Sequence, residues 1–298
     1  MSDARFAILD NRAVLDVAGE DRVAFLQGLV STDVATVSES AAIHTAFLTA
    51  QGKYLHDFFI AALGERFLLD CEAARAEDLK KRLSMYRLRS KVTIEARPDL
   101  GVAVAFGDGA TGKLGLADTA GAARALDDGV AFVDPRLAAA GARAILPSGT
   151  ADATLTEAGL AAGSAADYDR ARLSLGLPDG SRDLVPEKSI LLENGFDELN
   201  GVDWNKGCFL GQELTARTHY RGLVKKRLMP VEIDGPLPAP GTLVMLGDKE
   251  AGEMRSGTDG CGLALLRLDA VEKAAESEGA LTAGEARLTP KKPDWAAF

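Results

Sequence analysis

IHTAFLTAQGKYLHDFFIAALGERFLLD, residues 43–70, carries the pattern that decides the class of fold. IHTAFL (43–48), YLHDFFIAAL (54–63) and RFLLD (66–70) are extended runs rich in aromatic and β-branched side chains, parted by turn-forming AQG and GE. Upstream, AVLDV (13–17) reads as a strand, and DRVAFLQGLV (21–30) as a helix. Asp21 stands in the capping position there, and Val23, Leu26, Leu29 and Val30 fall on one helical face. Downstream, a helix is predicted over about 73–86 and a strand at KVTIE (91–95). The order β-α-β-β-β-α-β predicts an α+β fold, an antiparallel sheet with helices on one face, near the ferredoxin-like arrangement.

Beyond Leu100 the chain becomes Ala/Gly-rich, with strands predicted at VAVAF (102–106) and AFV (131–133) and helices near 151–162 and 167–175. A second α+β unit fits these elements. LMPVEI, TLVML, GEMRSG, LALLRL and EARLTP then follow one another, separated by DGP, PAPG, GD and TDG turns, which predicts a small C-terminal β-barrel. The expected organisation is therefore 1–226 as two interleaved α+β units and 227–298 as the barrel. A length of 298 residues agrees with about two domains at ~150 residues each.

With 26% charged and 47% hydrophobic residues, the composition is that of a chain that buries a real core. No run approaches the roughly 18 uncharged apolar residues of a membrane span, and MSDARFAILDNR lacks the features of a leader, so a cytoplasmic protein without membrane contact is expected. A net charge of −10 disfavours nucleic acid as a partner. Two basic islands interrupt that acidity: Lys80, Lys81, Arg82, Arg87, Arg89 and Lys91, and then Arg217, Arg221, Lys225, Lys226 and Arg227. Each reads either as a solvated face or as a receiver for a polyglutamate tail, a phosphate or RNA.

FGDGATGKLG (106–115) imitates two nucleotide motifs and satisfies neither. Leu114 stands where a phosphate loop needs Ser or Thr, and KLGLADTAG opens a helix poorly, so a hairpin turn is the expectation. His44, His56 and His219 lack zinc-ligand spacing, and no GxSxG elbow occurs. Cys71, Cys208 and Cys261 are too far apart for a CxxC knuckle, so any metal here must be shared with another molecule.

Cys208 stands apart within WNKGCFLGQELTARTHYRG (204–222). The stretch Gln212–Arg217 reads as a short helix, which puts the thiol near a helix start and beside Lys206, both favouring a thiolate. The residues alone leave two readings open, a reactive thiol and a cysteine filling a gap at a tight turn.

KGCFLGQE resembles the K-G-C-[FY]-x-G-Q-E signature of the YgfZ family, relatives of the glycine-cleavage aminomethyltransferase (GcvT), through Lys206, Gly207, Cys208, Gly211, Gln212 and Glu213. The continuation ELTARTHYRGLVKKRLMPV is most similar to the mitochondrial-type branch that assists iron–sulfur cluster assembly. FLQGLVSTDV (25–34), FLTAQGKYLHDF (47–58), MYRLRSKVTI (85–94) and RLSLGLPDGSRDL (172–184) resemble family blocks in the expected order. The resemblance implies an aminomethyltransferase-like folate-binding fold, a ring of ferredoxin-like α+β domains closed by a C-terminal β-barrel, with a cavity that accepts tetrahydrofolate in relatives. Where those enzymes carry paired aspartates, this chain has His56-Asp57, and Ser174 replaces their pterin-binding glutamate.

The leading expectation is thus an iron–sulfur cluster assembly or repair factor rather than a transferase. Cys208 would ligate a cluster shared with an A-type carrier or a client iron–sulfur protein. Lys206 would stabilise the thiolate, Gly207 and Gly211 permit the turn, Gln212 and Glu213 orient the loop, and Arg217 and Arg221 hold an anionic tail or acidic partner. Asp57 remains a polar contact for a folate-like small molecule. The rivals are a folate-dependent one-carbon transferase or demethylase and, behind it, an RNA-associated module.

Overall fold

The computed structural model describes residues 3–222, 224–276 and 280–298. The chain forms two compact units, one of Met1–Leu48, Leu55–Tyr168 and Leu199–Leu210, the other of Thr49–Tyr54, Asp169–Glu198 and Gly211–Phe298.

The first unit contains two sheets backed by helices, both antiparallel except for one parallel pair at the edge of the second. Its elements begin with β1 (Arg5–Ile8), β2 (Arg12–Ala18), α1 (Arg22–Gln27), β3 (Ile43–Leu48), β4 (Tyr54–Leu63), β5 (Arg66–Glu72), α2 (Ala76–Tyr86) and β6 (Thr93–Ala96). β3, β4, β5, β2 and β6 form one sheet in that order, the predicted β-α-β-β-β-α-β set. Strand alternation sorts its side chains: Phe58, Ile60, Phe67, Leu69, Leu15 and Val17 pack under α1 and α2 with Leu26, Leu79 and Leu83.

Two expectations for α1 change. α1 stops at Gln27 rather than reaching Val30, because Gln27 folds back to accept from Val34 N (2.8 Å) and donate to Asp33 (2.9 Å). Asp21 makes no side-chain cap and instead accepts from Lys91 N at 2.7 Å.

β7 (Leu100–Phe106), α3 (Ala110–Lys113), β8 (Ala123–Leu126), β9 (Gly129–Val133), β10 (Ala142–Pro147), α4 (Ala151–Glu157), β11 (Ala161–Ala162) and α5 (Ala165–Ser174) continue the chain. The second sheet runs β11-β1-β7-β10-β9-β8, with Leu114 and Leu155 covering one face. FGDGATGKLG is not a hairpin: Gly109 (φ 74°) opens the single turn α3, and β7 pairs with β1 and β10. The two sheets meet through Phe59 and Phe132, 6.1 Å between ring centres.

The second unit holds α6 (Gln212–Tyr220), β12 (Lys226–Asp234), β13 (Leu243–Leu246), β14 (Lys249–Thr258), β15 (Cys261–Arg267), α7 (Leu268–Glu276), β16 (Leu281–Ala283) and β17 (Ala286–Pro290). The described strands close into a barrel ordered β12-β15-β14-β13-β16-β17, filled by Met229, Val231, Val244, Met254 and Leu266. α7 and β16 are additions to the expected strands. Arg172, 2% exposed, donates to Asp183 (2.6 Å) and Ser256 (2.7 Å), which explains why RLSLGLPDGSRDL reads as a block: its charges tie to the barrel.

Candidate functional site

The Cys208 segment is anchored on both sides of the thiol. Before it, Lys206 Nζ donates to Gln27 O (2.9 Å), Val30 O (2.6 Å) and Thr32 O (2.9 Å), using all three ammonium donors on the chain leaving α1. After it, Leu210 N donates to Gly28 O at 3.0 Å, and the Leu210 side chain packs against the core under α1. Asp203 N reaches Ser31 O (3.0 Å), while Ser31 Oγ donates to Gly201 O (2.6 Å) and receives Ala46 N (2.9 Å). The backbone is tied down, and between the anchors Gly207 and Cys208 are exposed.

Burial pushes the Lys206 ammonium down to about 8. Its donors face carbonyls, and its charge also lies 5.2 Å from the Phe209 ring. Lys206 thus anchors the loop through backbone carbonyls. The Gln27, Val30 and Thr32 carbonyls were invisible to sequence reasoning, although FLQGLVSTDV, the segment that supplies them, was not.

The other two thiols are less available. Cys71 is buried, its Sγ 3.5 Å from Ala13 O, and burial pushes it up to about 12. Cys261, on β15 against Leu173 and Leu263, is half-buried and raised by burial. Cys208 is the one exposed cysteine.

The remaining signature residues lie in the second unit. Gly211 takes the left-handed φ of 79° that begins α6. A side chain on Gly52 (φ +79°) would come within 2.6 Å of Gly211 O and Leu214 Cβ, so the AQGK turn and the GQEL turn fit together only through glycine. Gly207 differs: an added Cβ there meets nothing within 4 Å. Gln212 and Glu213 fill the first turn of α6, with Glu213 exposed and favourably placed for the helix dipole. Arg217 and Arg221 are exposed at its far end.

Asp57 lies inside the first unit, 6% exposed, with Oδ2 3.2 Å from His44 Nε2. Burial pushes His44 below its ordinary range despite Asp57. His56 points to the opposite face of β4, 2.9 Å from Asp78, and burial lowers it to about 4. Around Phe59, on the Asp57 face, lies a polar layer the sequence reading missed. Asp70 takes Arg12 Nε at 2.6 Å and Arg143 Nε at 2.7 Å; Asp134 takes Arg136 at 2.7 Å; and Arg12, Arg136 and Arg143 lie 5.8, 5.0 and 4.2 Å from the Phe59 ring centre. Burial alone would raise Asp134, but Arg136 beside it holds its carboxyl below the usual carboxylate range. The available signal was strand parity, which aims Asp70 of RFLLD away from the face of Phe67 and Leu69.

Ser174 Oγ donates to Ala171 O (2.7 Å) within its own helix. Among the described residues, no three His, Cys, Asp or Glu side chains gather as a metal site, and no helix is long and apolar enough to cross a membrane.

Residues 225–298 match the family described as the CAF17 C-terminal beta-barrel domain. Over 96% of its length the chain is 36% identical to the human mitochondrial iron–sulfur cluster assembly factor IBA57, spanning 84% of that protein. To the Neurospora crassa homologue of that factor it is 34% identical over 74% of its own length and 52% of the relative's. In three dimensions it is similar to the crystal structure of glycine cleavage system aminomethyltransferase T from Bartonella henselae, with a TM-score of 0.78 over 99% of this chain and 87% of that one. At 17% identity that likeness shows the fold.

Proposed function

Starting from the chain's membership of the IBA57 family of iron–sulfur cluster assembly factors, we propose that Cys208 supplies one thiolate to a cluster shared with an A-type carrier or a client iron–sulfur protein. The observation that carries this reading is the exposed thiol on a segment fastened on both sides, by Lys206 and by Leu210. A cluster commonly takes four thiolates, so the remaining ligands come from the partner and the cluster is cargo. The sulfur sheds its proton as it ligates iron, and the fastened backbone keeps it in reach without covering it. Cys71 is buried and Cys261 half-buried, which leaves a single point of exchange.

The transferase alternative fits poorly. Handling a folate-borne carbon calls for a carboxylate open to the ligand. Asp57 is buried against His44, and Ser174 turns its hydroxyl to its own helix. Calorimetric titration with tetrahydrofolate, expected to be unchanged by Asp57→Ala, tests the point. Three cysteines without a disulfide suit a reducing compartment, and we propose the cytoplasm, whereas the named relatives are mitochondrial.

The test follows visible absorption while the protein is mixed with a cluster-loaded A-type carrier. Cys208→Ser is expected to abolish the spectral change of the shared cluster and Cys261→Ser to preserve it. Unaltered behaviour in Cys208→Ser overturns the assignment.

A further inference from the structure

The segment joining α2 to β6 is an exposed apolar knob in a basic setting. Ser84 through Arg89 are six consecutive exposed residues. Within them Met85 is 60%, Tyr86 41% and Leu88 88% exposed. Leu88 also adopts φ 43°, a left-handed conformation that a side chain disfavours and that glycine or asparagine would accept more readily. Nothing in the protein's own packing calls for a leucine there. Strain of this kind gathers at sites of function.

Arg87 and Arg89 flank the leucine, both exposed and without an ion pair among the described residues, and Lys80 and Lys81 lie on the preceding helix. This concentration of positive charge sits on a chain of net charge −10. Beside it opens a pocket of about 720 Å³, lined by Asp21, Ala24 and Phe25 of the α1 region and by Leu88, Arg89 and Ser90.

The position of this patch gives it meaning. α1 is six residues long, about 9 Å. The pocket occupies its start, and the Cys208 segment is fastened just past its end, through Gly28, Val30 and Thr32. The patch and the thiol segment are thus connected through one short helix, α1.

We propose that the Met85–Arg89 knob and its pocket are the docking surface for the cluster carrier itself, a protein with an acidic rim around an apolar side chain that enters the pocket. The inference rests on the reading of Cys208 as a cluster ligand and adds where that partner binds. Leu88 and Met85 supply apolar contact, while Arg87 and Arg89 select for acidic neighbours and speed encounter. Single-stranded RNA suits the patch less well, because its binding sites rely on rows of stacking aromatics and here Tyr86 is the exposed ring.

The experiment is calorimetric titration of the full chain with purified, cluster-free A-type carrier from the same genome, at low and moderate salt. Leu88→Asp and the double variant Arg87→Glu/Arg89→Glu are expected to weaken binding at least tenfold, the double variant also losing most of the salt dependence. Leu88→Gly relaxes the backbone, so it is expected to keep or raise Tm while still weakening binding, a combination that a purely structural role does not produce. Cys261→Ser, outside both the patch and the thiol segment, should bind the cluster-free carrier as wild type does. If Cys208→Ser still exchanges clusters while the patch variants fail to bind, the ligand assignment falls and the docking surface stands. Binding by the patch variants within twofold of wild type overturns the docking surface, as does absence of carrier binding by wild type. So does use of these same residues for an RNA oligonucleotide, for anionic vesicles or for self-association instead.

Discussion

The Cys208 segment and the polar layer around Phe59 belong to the same unit and are built by opposite rules. In the layer, Arg12, Asp70, Arg143, Asp134 and Arg136 are all buried, and their charges are bound to one another. In the segment the charged Lys206 is directed to backbone carbonyls, and the Cys208 sulfur is left outside. One region satisfies side chains with side chains and so fixes how two sheets face each other. The other satisfies backbone with a side chain and so fixes where a free side chain stands. Charged groups near a site are thus not automatically its chemistry; their partners decide.

Breaking the layer should give the largest effect. Asp70 is 0% exposed and serves two guanidinium groups, so Asp70→Asn leaves both short of a countercharge in a buried place. Removing one partner of such a pair costs about 4 kcal/mol. The expected outcome is a fall of that size in denaturant unfolding. A change below about 1 kcal/mol would mean that the layer does not fix how the two sheets face each other.

Acid should act more gently on the opposite face of β4. His56 is held neutral, donating to Asp78, whose carboxyl is kept low by hydrogen bonds from Arg82 and His56 that outweigh its burial. The folded value of about 4 lies below the ordinary 6.5, so the unfolded chain binds the proton first. Stability from this histidine is complete above pH 6.5 and is lost as pH falls toward 4, up to about 3 kcal/mol. His56→Gln should flatten the unfolding free energy over that window. Next in size, Lys206→Met removes three charge-assisted bonds from a half-buried amine, worth about 2 kcal/mol together after solvent competition. Its signature is local: faster amide exchange over 204–210 and slower cluster exchange, with the polar layer untouched.

These contrasts also separate what the sequence could disclose from what it could not. β3 and β4 were legible residue for residue because runs rich in aromatic and β-branched side chains between turns are local signals, and both strands are buried almost end to end. The end of α1 was not, since Gln27 and Asp21 find partners elsewhere, Asp21 at a residue 70 positions away. α7 escaped because LALLRL runs on into the amphipathic LDAVEKAAE without a breaker, so the strand pattern absorbed the helix's first residue. KGCFLGQE pointed to the thiol through its letters. The role of Lys206 was hidden because its acceptors are carbonyls, which every residue carries and no letter marks.

The smallest expected effect probes the glycines of that same motif. At Gly211 a Cβ must enter a left-handed φ of 79°, so Gly211→Ala is expected to cost about 1 kcal/mol. Gly207 has no such φ, and a Cβ added there meets open space within 4 Å. Gly207→Ala should therefore leave unfolding within about 0.5 kcal/mol of wild type. If cluster exchange nevertheless slows in Gly207→Ala, the glycine beside the sulfur serves the approach of the partner rather than the fold, and the comparison between a fastened backbone and a free thiol sharpens to a single residue. If instead unfolding shifts by as much as in Gly211→Ala, the exposed crest is itself part of the packing, and the distinction drawn between the two regions fails at its most exposed point.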